Sequence, residues 1–198
     1  MRDFISIFDN ALSSDKCKQI IEHFESFAES DYDKKEKEYK KEDRDCDTLG
    51  FSFNKKEYAP SNQIINKTLY DYTQKYVDMN PELKSVYTFG LFYGFNLQRY
   101  KPNQCYRLPH TENNGIIQNR MMVWTIYLNT VTDGGGTYYT QYDKTIDAVE
   151  GRLVIWPAYW THFHHGVVSK SQTKYIATGW YTFIKPFGQG QLKNWVML

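Results

Sequence analysis

After Pro81 the sequence changes from helical to strand-like patterns, and this change constrains the fold more than any other feature. Short runs rich in β-branched and aromatic residues then recur, with turns containing Gly, Pro and Asn between them. The runs are residues 86–92, 95–100, 120–128, 137–142, 152–156, 162–168 and 174–183. No long helical pattern interrupts them, so we predict a mainly β fold, a sandwich or jelly roll backed by helices.

The N-terminal residues carry the helical part of this prediction. Residues 4–8 alternate apolar and polar side chains, which predicts a short strand. Ser13 or Ser14 is expected to cap a helix near 14–28, and a second helix is expected near 61–79. The apolar positions of the first helix fall on one stripe, made of Cys17, Ile20, Ile21, Phe24 and Phe27. Both helices are therefore expected to pack outside the β region.

The length of 198 residues fits one domain. In this division residues 1–85 form a helical support layer and a charged loop, 86–184 form the jelly-roll core, and 185–198 form a C-terminal tail. Residues 30–47 are nearly all charged, with both signs mixed. Such a segment has no apolar face to bury, so a solvated loop or frayed helix is favoured over a flap above a pocket.

Charge and cysteine content exclude several classes of partner. A net charge of +1 provides no field to attract nucleic acid, and no apolar run is long enough for a signal peptide or a membrane span. The three cysteines, Cys17, Cys46 and Cys105, are odd in number and scattered, which favours reduced thiols. We therefore expect a cytoplasmic protein that binds neither nucleic acid nor membrane; nothing in the pattern indicates an oligomeric state.

The β region contains a pattern of metal-binding residue types. His110-Thr111-Glu112 is followed at a distance by His164, and a histidine, any residue, a carboxylate and a distant histidine are typical of a facial Fe(II) site with open positions. On a strand, His110 and Glu112 would point to the same face. Lys174 lies ten positions after His164 and is placed to hold a co-substrate that carries a carboxylate. We interpret these residues as one candidate site.

Polar side chains share strand faces in the same region. The sets are Asn96, Gln98 and Tyr100 on one predicted strand, and Lys174, Thr178 and Trp180 on another. His162 and His164 are expected to share a face, with His165 on the opposite one. Polar faces of antiparallel sheets often simply meet water. Their concentration on three strands instead favours a polar end of a barrel lumen.

Three other interpretations compete with this one, and the last of them is the main alternative. A closed zinc site needs clustered Cys and His ligands, and the cysteines here are too scattered. Nucleophilic catalysis by Cys105 with His110 lacks a nameable orienting partner, and a buried, inert Cys105 is favoured. A cupin-like binding module without turnover would keep the same fold and site.

The ordered motifs resemble the prolyl 4-hydroxylase-like Fe(II)/2-oxoglutarate oxygenases, and most of all their small bacterial and phage-encoded branch. The similarity spans about residues 99–183. The segments that carry it are residues 100–102 (YKP), 110–113 (HTEN), 124–129 (WTIYLN), 134–137 (GGGT), 151–158 (GRLVIWPA), 160–166 (WTHFHHG) and 174–180 (KYIATGW). One His-x-Glu is a weak signal, whereas this series in the family's order is a strong one.

The resemblance implies a double-stranded β-helix that binds Fe(II), 2-oxoglutarate and O₂ and hydroxylates a C–H bond, with release of succinate and CO₂. The implied metal ligands are His110, Glu112 and His164, where the His-x-Gly match selects His164 over His162. The implied co-substrate residues are Lys174 and Tyr127, which hold the far carboxylate, with Tyr100, Thr137 and Trp180 lining the pocket. Arg120 matches a position near the substrate in some relatives.

One position departs from the family pattern, because most members have aspartate where this chain has Glu112. The longer side chain must fold back to reach the same coordination point; the branch that this chain resembles most also has glutamate there, so we expect metal binding to persist. The resemblance implies a prolyl residue in a peptide or protein as substrate, and a free amino acid or another small molecule stays as the alternative. No arginine follows Arg152, which argues against a nucleic-acid demethylase of the same superfamily.

Overall fold

The computed structural model describes residues 2–27, 42–53, 56–86, 88–114, 117–184 and 196–197. The helices are α1 (Ser14–Glu25) and α2 (Ala59–Met79). The strands are β1 (Ser6–Phe8), β2 (Asp47–Ser52), β3 (Phe89–Tyr100), β4 (Arg120–Tyr127), β5 (Thr137–Tyr139), β6 (Lys144–Ile146), β7 (Leu153–Pro157), β8 (His164–Gly166), β9 (Lys174–Phe183) and β10 (Val196–Met197). Most of the charged segment 30–47 and of the tail 185–198 lie outside the described residues. Within the described ranges, no helix is long and apolar enough to cross a membrane.

Two antiparallel sheets form the β region, so the predicted mainly β architecture with helices is confirmed. The larger sheet has seven strands in the order β1-β7-β4-β9-β3-β10, with β2 also paired to β3. The smaller sheet has the order β6-β5-β8. His110 adds an isolated antiparallel bridge to His164 on β8. This bridge brings two residues that are far apart in the sequence to the same edge of the smaller sheet.

Alternate residues of the central strands β3, β4 and β9 point to opposite sides of the larger sheet. One side packs against both helices and is apolar. This helix-side core includes Phe95 and Leu97 of β3, Met122, Trp124 and Ile126 of β4, Ala177 and Tyr181 of β9, Cys17, Ile20 and Phe24 of α1, and Ile65, Leu69 and Tyr76 of α2. Gly179 continues the series on β9, where a Cβ would come within 2.6 Å of the Trp124 ring. Because the apolar faces of α1 and α2 pack on this side of the sheet, the alternate residues of β3, β4 and β9 face the opposite side.

Several predicted boundaries were wrong for identifiable reasons. Residues 89–92 of the first run and all of the run 95–100 belong to the single strand β3, whose pairing with β9 is irregular between Leu91 and Phe95. An irregularity of this kind interrupts the alternation that the prediction relied on. The second helix begins at Ala59 rather than at residue 61, with Pro60 in its first turn, where the missing N–H is no loss.

The predicted start of the strand 162–168 was also wrong. Residues Trp160–His162 form a 3₁₀ turn, and only His164–Gly166 pair as a strand. His162 therefore does not share a face with His164. Its Nε2 lies 2.7 Å from the carbonyl oxygen of Asp3. The run 137–142 likewise ends as a strand at Tyr139 and continues as a 3₁₀ turn.

Candidate metal and co-substrate site

A cavity of about 460 Å³ lies on the side of the larger sheet that faces away from the helices. Residues from β3, β4 and β9 line it, together with β8 and the segment that carries His110. Among the residues that the structure describes, the charged lining consists of Arg44, Arg120 and Lys174 with the carboxylate of Glu112, apart from the histidines. The polar end of a lumen predicted from the strand faces is therefore present.

The structure brings His110, Glu112 and His164 together at this cavity. One potential ligand atom from each residue lies within 4.8 Å of the others. The Nε2 atoms of His110 and His164 lie 3.5 Å and 3.9 Å from Oε1 of Glu112. The main chains of the two histidines exchange two N–H···O hydrogen bonds of 3.0 Å each, which fixes their relative position. Three donor atoms thus converge on one point, and that point borders the cavity.

Backbone carbonyl groups set the tautomer of both histidines. Nδ1 of His110 lies 2.8 Å from the carbonyl oxygen of Leu108, and Nδ1 of His164 lies 2.9 Å from that of His162. A carbonyl oxygen only accepts, so each Nδ1 carries the proton and each Nε2 keeps a lone pair. Tyr106 also stacks on the His110 ring, with 3.8 Å between ring centroids. Both imidazoles are therefore held in the form and orientation that a metal ligand needs.

The protonation states complete the donor set. Burial, and then the neighbouring His110, lower the pKa of His164 to about 4. Burial alone would raise the pKa of Glu112, but the contact with His110 and the charges of His110, His164 and Arg120 together lower it to about 2. At neutral pH the site offers the neutral His164 imidazole and an ionised carboxylate. Two imidazole nitrogens and one carboxylate oxygen on one side of an open cavity fit Fe(II).

Lys174 lies deeper in the same cavity, at the start of β9. Its side chain is 5% exposed, and its Nζ lies 4.4 Å from the centre of the Tyr100 ring. Among the described residues it has no hydrogen-bond or ion-pair partner. Burial lowers the pKa of this ammonium to about 8, so at pH 7 it is mainly charged. A buried cation without a carboxylate partner is suited to an anionic ligand.

The other predicted co-substrate residues line the same cavity. The hydroxyl of Tyr127 lies 2.7 Å from Oγ1 of Thr137, and both residues line the cavity. Tyr100 donates its hydroxyl hydrogen to Oε1 of Gln98 at 2.8 Å. Burial raises the pKa of Tyr127 to about 12, so its hydroxyl remains a donor at physiological pH. Trp180 also lines the cavity and reaches Glu112.

Residues that competed for these roles lie elsewhere. His162 contacts Asp3 and Tyr142, and His165 packs against Tyr138. Cys105 donates its thiol to the carbonyl oxygen of Gly166, and burial raises its pKa, which opposes a nucleophilic thiolate.

Sequence reasoning missed several residues of the cavity, among them Tyr106 and Arg44. Tyr106 stacks on His110, and Arg44 lies with its guanidinium 5.3 Å from the Tyr106 ring. An aromatic four residues before His110 gave no specific signal. Arg44 stood within the charged run 30–47, where composition alone suggested solvation.

Comparison with protein families identifies the segment that forms this site. The model of the 2OG-Fe(II) oxygenase superfamily matches residues 95–182, which include all three converging donors and Lys174. The segment that forms the site is similar to this superfamily. The chain is an oxygenase, and its cofactors are Fe(II), 2-oxoglutarate and O₂. No curated protein matches the sequence.

Several solved structures share the fold of this chain. A viral collagen prolyl hydroxylase from Paramecium bursaria Chlorella virus 1, in complex with 2-oxoglutarate, has a TM-score of 0.69 at 18% identity and covers 91% of this chain and 97% of its own. A prolyl-4-hydroxylase from Pseudomonas putida has a TM-score of 0.64 at 16% identity, covering 92% and 94%. A prolyl hydroxylase from Trichoplax adhaerens, in complex with a peptide fragment, has a TM-score of 0.71 at 16% identity, covering 91% and 84%. The oxygenase fold of these enzymes is thus shared over nearly the whole chain.

Proposed function

We propose that this oxygenase hydroxylates a prolyl residue in a peptide or protein and releases succinate and CO₂. The observation that carries the proposal is the position of two features in one cavity. Three metal donors lie within 4.8 Å of one another, and the buried Lys174 lines the same space. An oxygenase that uses a dicarboxylic co-substrate needs both a metal site and a cation at a distance from it.

Each residue has a defined part in this proposal. His110, Glu112 and His164 would hold Fe(II), which with 2-oxoglutarate and O₂ supplies the oxidising chemistry. Lys174 would bind the far carboxylate of 2-oxoglutarate as a point charge. Tyr127 would donate its hydroxyl hydrogen to the same carboxylate. The protein's contribution is to orient these groups and to exclude water from them.

Three residues would shape the co-substrate pocket around Lys174. Tyr100 covers the ammonium with its ring, and Thr137 holds the Tyr127 hydroxyl at 2.7 Å. Trp180 lies near the metal donors through its contact with Glu112. In this arrangement the co-substrate spans the cavity from the metal to Lys174, and the remaining open side is left for the substrate.

The fold assignment of the proposal is a double-stranded β-helix in a single domain over residues 1–198. The two antiparallel sheets on opposite sides of the cavity support it. Cytoplasmic location is proposed because all three cysteines are free and buried thiols, as expected where thiols stay reduced.

The prolyl substrate is supported by the three similar structures, each of which is a prolyl hydroxylase, one with a bound peptide fragment. Mass spectrometry of a panel of proline-containing peptides, incubated with protein, Fe(II) and 2-oxoglutarate, tests it directly. We expect one added oxygen atom on a prolyl residue, dependent on 2-oxoglutarate and absent with the His164→Ala protein. Free amino acids belong in the same panel. Oxygen added to a free amino acid alone would replace the peptide substrate, and no 2-oxoglutarate turnover with any substrate would contradict the hydroxylase proposal.

A further inference from the structure

The carboxylate of Glu112 has two oxygens with different surroundings. Oε1 faces the two histidines, at 3.5 Å from His110 Nε2 and 3.9 Å from His164 Nε2. Oε2 instead accepts two hydrogen bonds, one of 2.8 Å from Arg120 Nη1 and one of 2.9 Å from Trp180 Nε1. Two donors therefore occupy the oxygen that lies away from the metal donors.

The two donors also hold each other. The guanidinium carbon of Arg120 lies 3.5 Å from the centre of the Trp180 ring, which is a close cation–π contact. Nη1 of Arg120 additionally lies 3.4 Å from the main-chain oxygen of Glu112. Arg120, Trp180 and Glu112 thus form one packed unit with little freedom to rotate, which we call the Glu112 clamp.

A β-bulge in β4 orients Arg120 toward this unit. On β4, Met122 and Trp124 face the helix-side core, so strict alternation would send Arg120 to that side as well. The pairing of β4 with β9 shifts between Arg120 and Met122, and both Met121 and Met122 lie in the helix-side core. The bulge therefore turns Arg120 to the cavity. Bulges beside active sites are a known way to re-aim a side chain.

We propose that Arg120 and Trp180 are positioning residues that reserve Oε2 of Glu112 and leave Oε1 as the single oxygen offered to the metal. The proposal rests on the metal site assigned to His110, Glu112 and His164. Glutamate has one more rotatable bond than aspartate, so a free glutamate at this position would sample several orientations and would also bind through both oxygens. The clamp removes that freedom, because two donors and a stacked ring fix the plane of the carboxylate.

The clamp also explains how this chain uses the longer side chain. The carboxylate of Glu112 reaches Arg120 and Trp180 on one side while its other oxygen faces the histidines. An aspartate would draw the carboxylate back by about one C–C bond, roughly 1.5 Å. It would then lose either the clamp or the metal. Glu112→Asp is therefore expected to weaken metal binding in this protein, although aspartate is the residue that the family pattern favours.

Co(II) titration of the full chain, without oxygen, tests the clamp through affinity and the visible spectrum of the bound ion. Trp180→Phe keeps the ring and removes the N–H donor. We expect it to weaken Co(II) binding about tenfold to a hundredfold, as loss of a partner to a ligating carboxylate usually does. Trp160→Phe is the control, because Trp160 is exposed and lies outside the cavity lining. That control should leave Co(II) affinity within about twofold of the wild type.

A second variant makes the test independent of how Trp180→Phe folds. Arg120→Met removes the charged donor and leaves Oε2 with the Trp180 hydrogen bond alone, so we expect the carboxylate to turn more freely and the Co(II) spectrum to change. Arg99→Met is its control, since Arg99 binds Glu25 and Asp47 and lies outside the cavity lining. In a Glu112→Asp background the Trp180→Phe substitution should have little further effect, since the two residues no longer touch.

The outcomes separate the clamp from the metal site. If the wild-type protein binds no Co(II), or binds it equally well after His164→Ala, the proposed metal site and the clamp are both wrong. If the wild type binds Co(II) through His164, while Trp180→Phe and Arg120→Met bind it with unchanged affinity and spectrum, the metal site stands and the clamp is wrong. Weakened Co(II) binding by Trp180→Phe, beside unaffected binding by Trp160→Phe, supports the clamp.

Discussion

The two sides of the larger sheet use the same strands for opposite purposes. On the helix side, Leu97, Trp124 and Ala177 pack against α1 and α2 in an apolar core. On the cavity side, the neighbouring residues Gln98 and Thr125 are also buried but polar. One residue of displacement along a strand therefore separates a side chain that holds the fold from one that lines the site.

This difference indicates how the stability and the chemistry of the molecule are divided. Apolar burial on the helix side contributes roughly 25 cal/mol per Å² removed from water, and it depends on close packing. The cavity side contains Lys174, whose charge is held away from water, and His164, whose pKa burial lowers to about 4. Such groups cost stability in the absence of a ligand. We therefore expect substitutions on the helix side to change stability, and substitutions on the cavity side to change binding.

The largest expected effect is on the cavity side. His164→Ala removes a donor and should abolish stoichiometric Fe(II) binding and 2-oxoglutarate turnover, while thermal unfolding stays near that of the wild type. The matched control is His162→Ala, since His162 is two residues away and contacts Asp3 rather than Glu112. Metal content and O₂ consumption are the measurements. Retention of metal by His164→Ala with loss in His162→Ala would reverse the ligand assignment.

The second prediction compares adjacent residues of β3 that face opposite sides. Leu97→Ala leaves a cavity in the helix-side core and should lower the free energy of unfolding by about 2–5 kcal/mol. Gln98→Ala removes the acceptor of the Tyr100 hydroxyl and should cost about 1 kcal/mol. Urea unfolding measures both. Equal losses would mean that the two sides of the sheet do not divide stability as described.

The sequence alone predicted side-chain orientation correctly in those elements where one hydrophobic periodicity continues without interruption. Alternation along β9 correctly placed Lys174, Thr178 and Trp180 on one side, since that strand is regular from Lys174 to Phe183. The order of the motifs led to the cavity that holds His110 and His164. Local pattern predicted both helices and most strands, although not β2, β6 or β10, because the buried face of a helix or strand must be apolar wherever a core covers it.

The remaining features depend on contacts between distant segments. The bulge between Arg120 and Met122 breaks the alternation without any Gly or Pro to mark it. The sequence predicts Arg120 near the substrate. Its hydrogen bond to Glu112 depends on the pairing of β4 with β9, which no local pattern indicates. His162 was placed on a strand because its neighbours are β-forming, whereas its contact with the main chain of Asp3, 159 residues away, belongs to a 3₁₀ turn. A single sequence contains no local signal for such contacts.

The third prediction concerns Lys174 on the cavity side. Its substitution should increase the stability of the free protein and weaken co-substrate binding. Lys174→Met keeps the length of the side chain and removes its charge. Charge-assisted hydrogen bonds contribute roughly 1.5–3 kcal/mol, so 2-oxoglutarate binding should weaken about tenfold to a hundredfold. Without ligand, the free energy of unfolding should rise by on the order of 2 kcal/mol, because a buried charge is removed.

Calorimetric titration of 2-oxoglutarate into Zn(II)-loaded protein and thermal unfolding of the free protein measure the two effects. Lys170→Met, on the exposed turn before β9, is the control for loss of a lysine as such. An unchanged affinity in Lys174→Met would remove this residue from the co-substrate site.

The smallest expected effect is a pH dependence that belongs to the cavity side alone. Burial lowers the pKa of Lys174 from its ordinary value of 10.5 to about 8, so the ammonium is present below pH 8 and is lost as the pH rises through that value. Both carboxylates of 2-oxoglutarate remain ionised throughout this range. The dissociation constant of 2-oxoglutarate should therefore be flat below pH 8 and should rise above it, by at most about tenfold per pH unit. The stability of the ligand-free protein should change in the opposite direction. Between pH 8 and 10.5 the unfolded chain binds more protons than the folded chain, so the free energy of unfolding should increase as the pH rises. Lys174→Met should bind weakly and without this dependence. A wild-type affinity that stays constant from pH 7 to about pH 9.5 would show that the charge of Lys174 does not contribute to co-substrate binding.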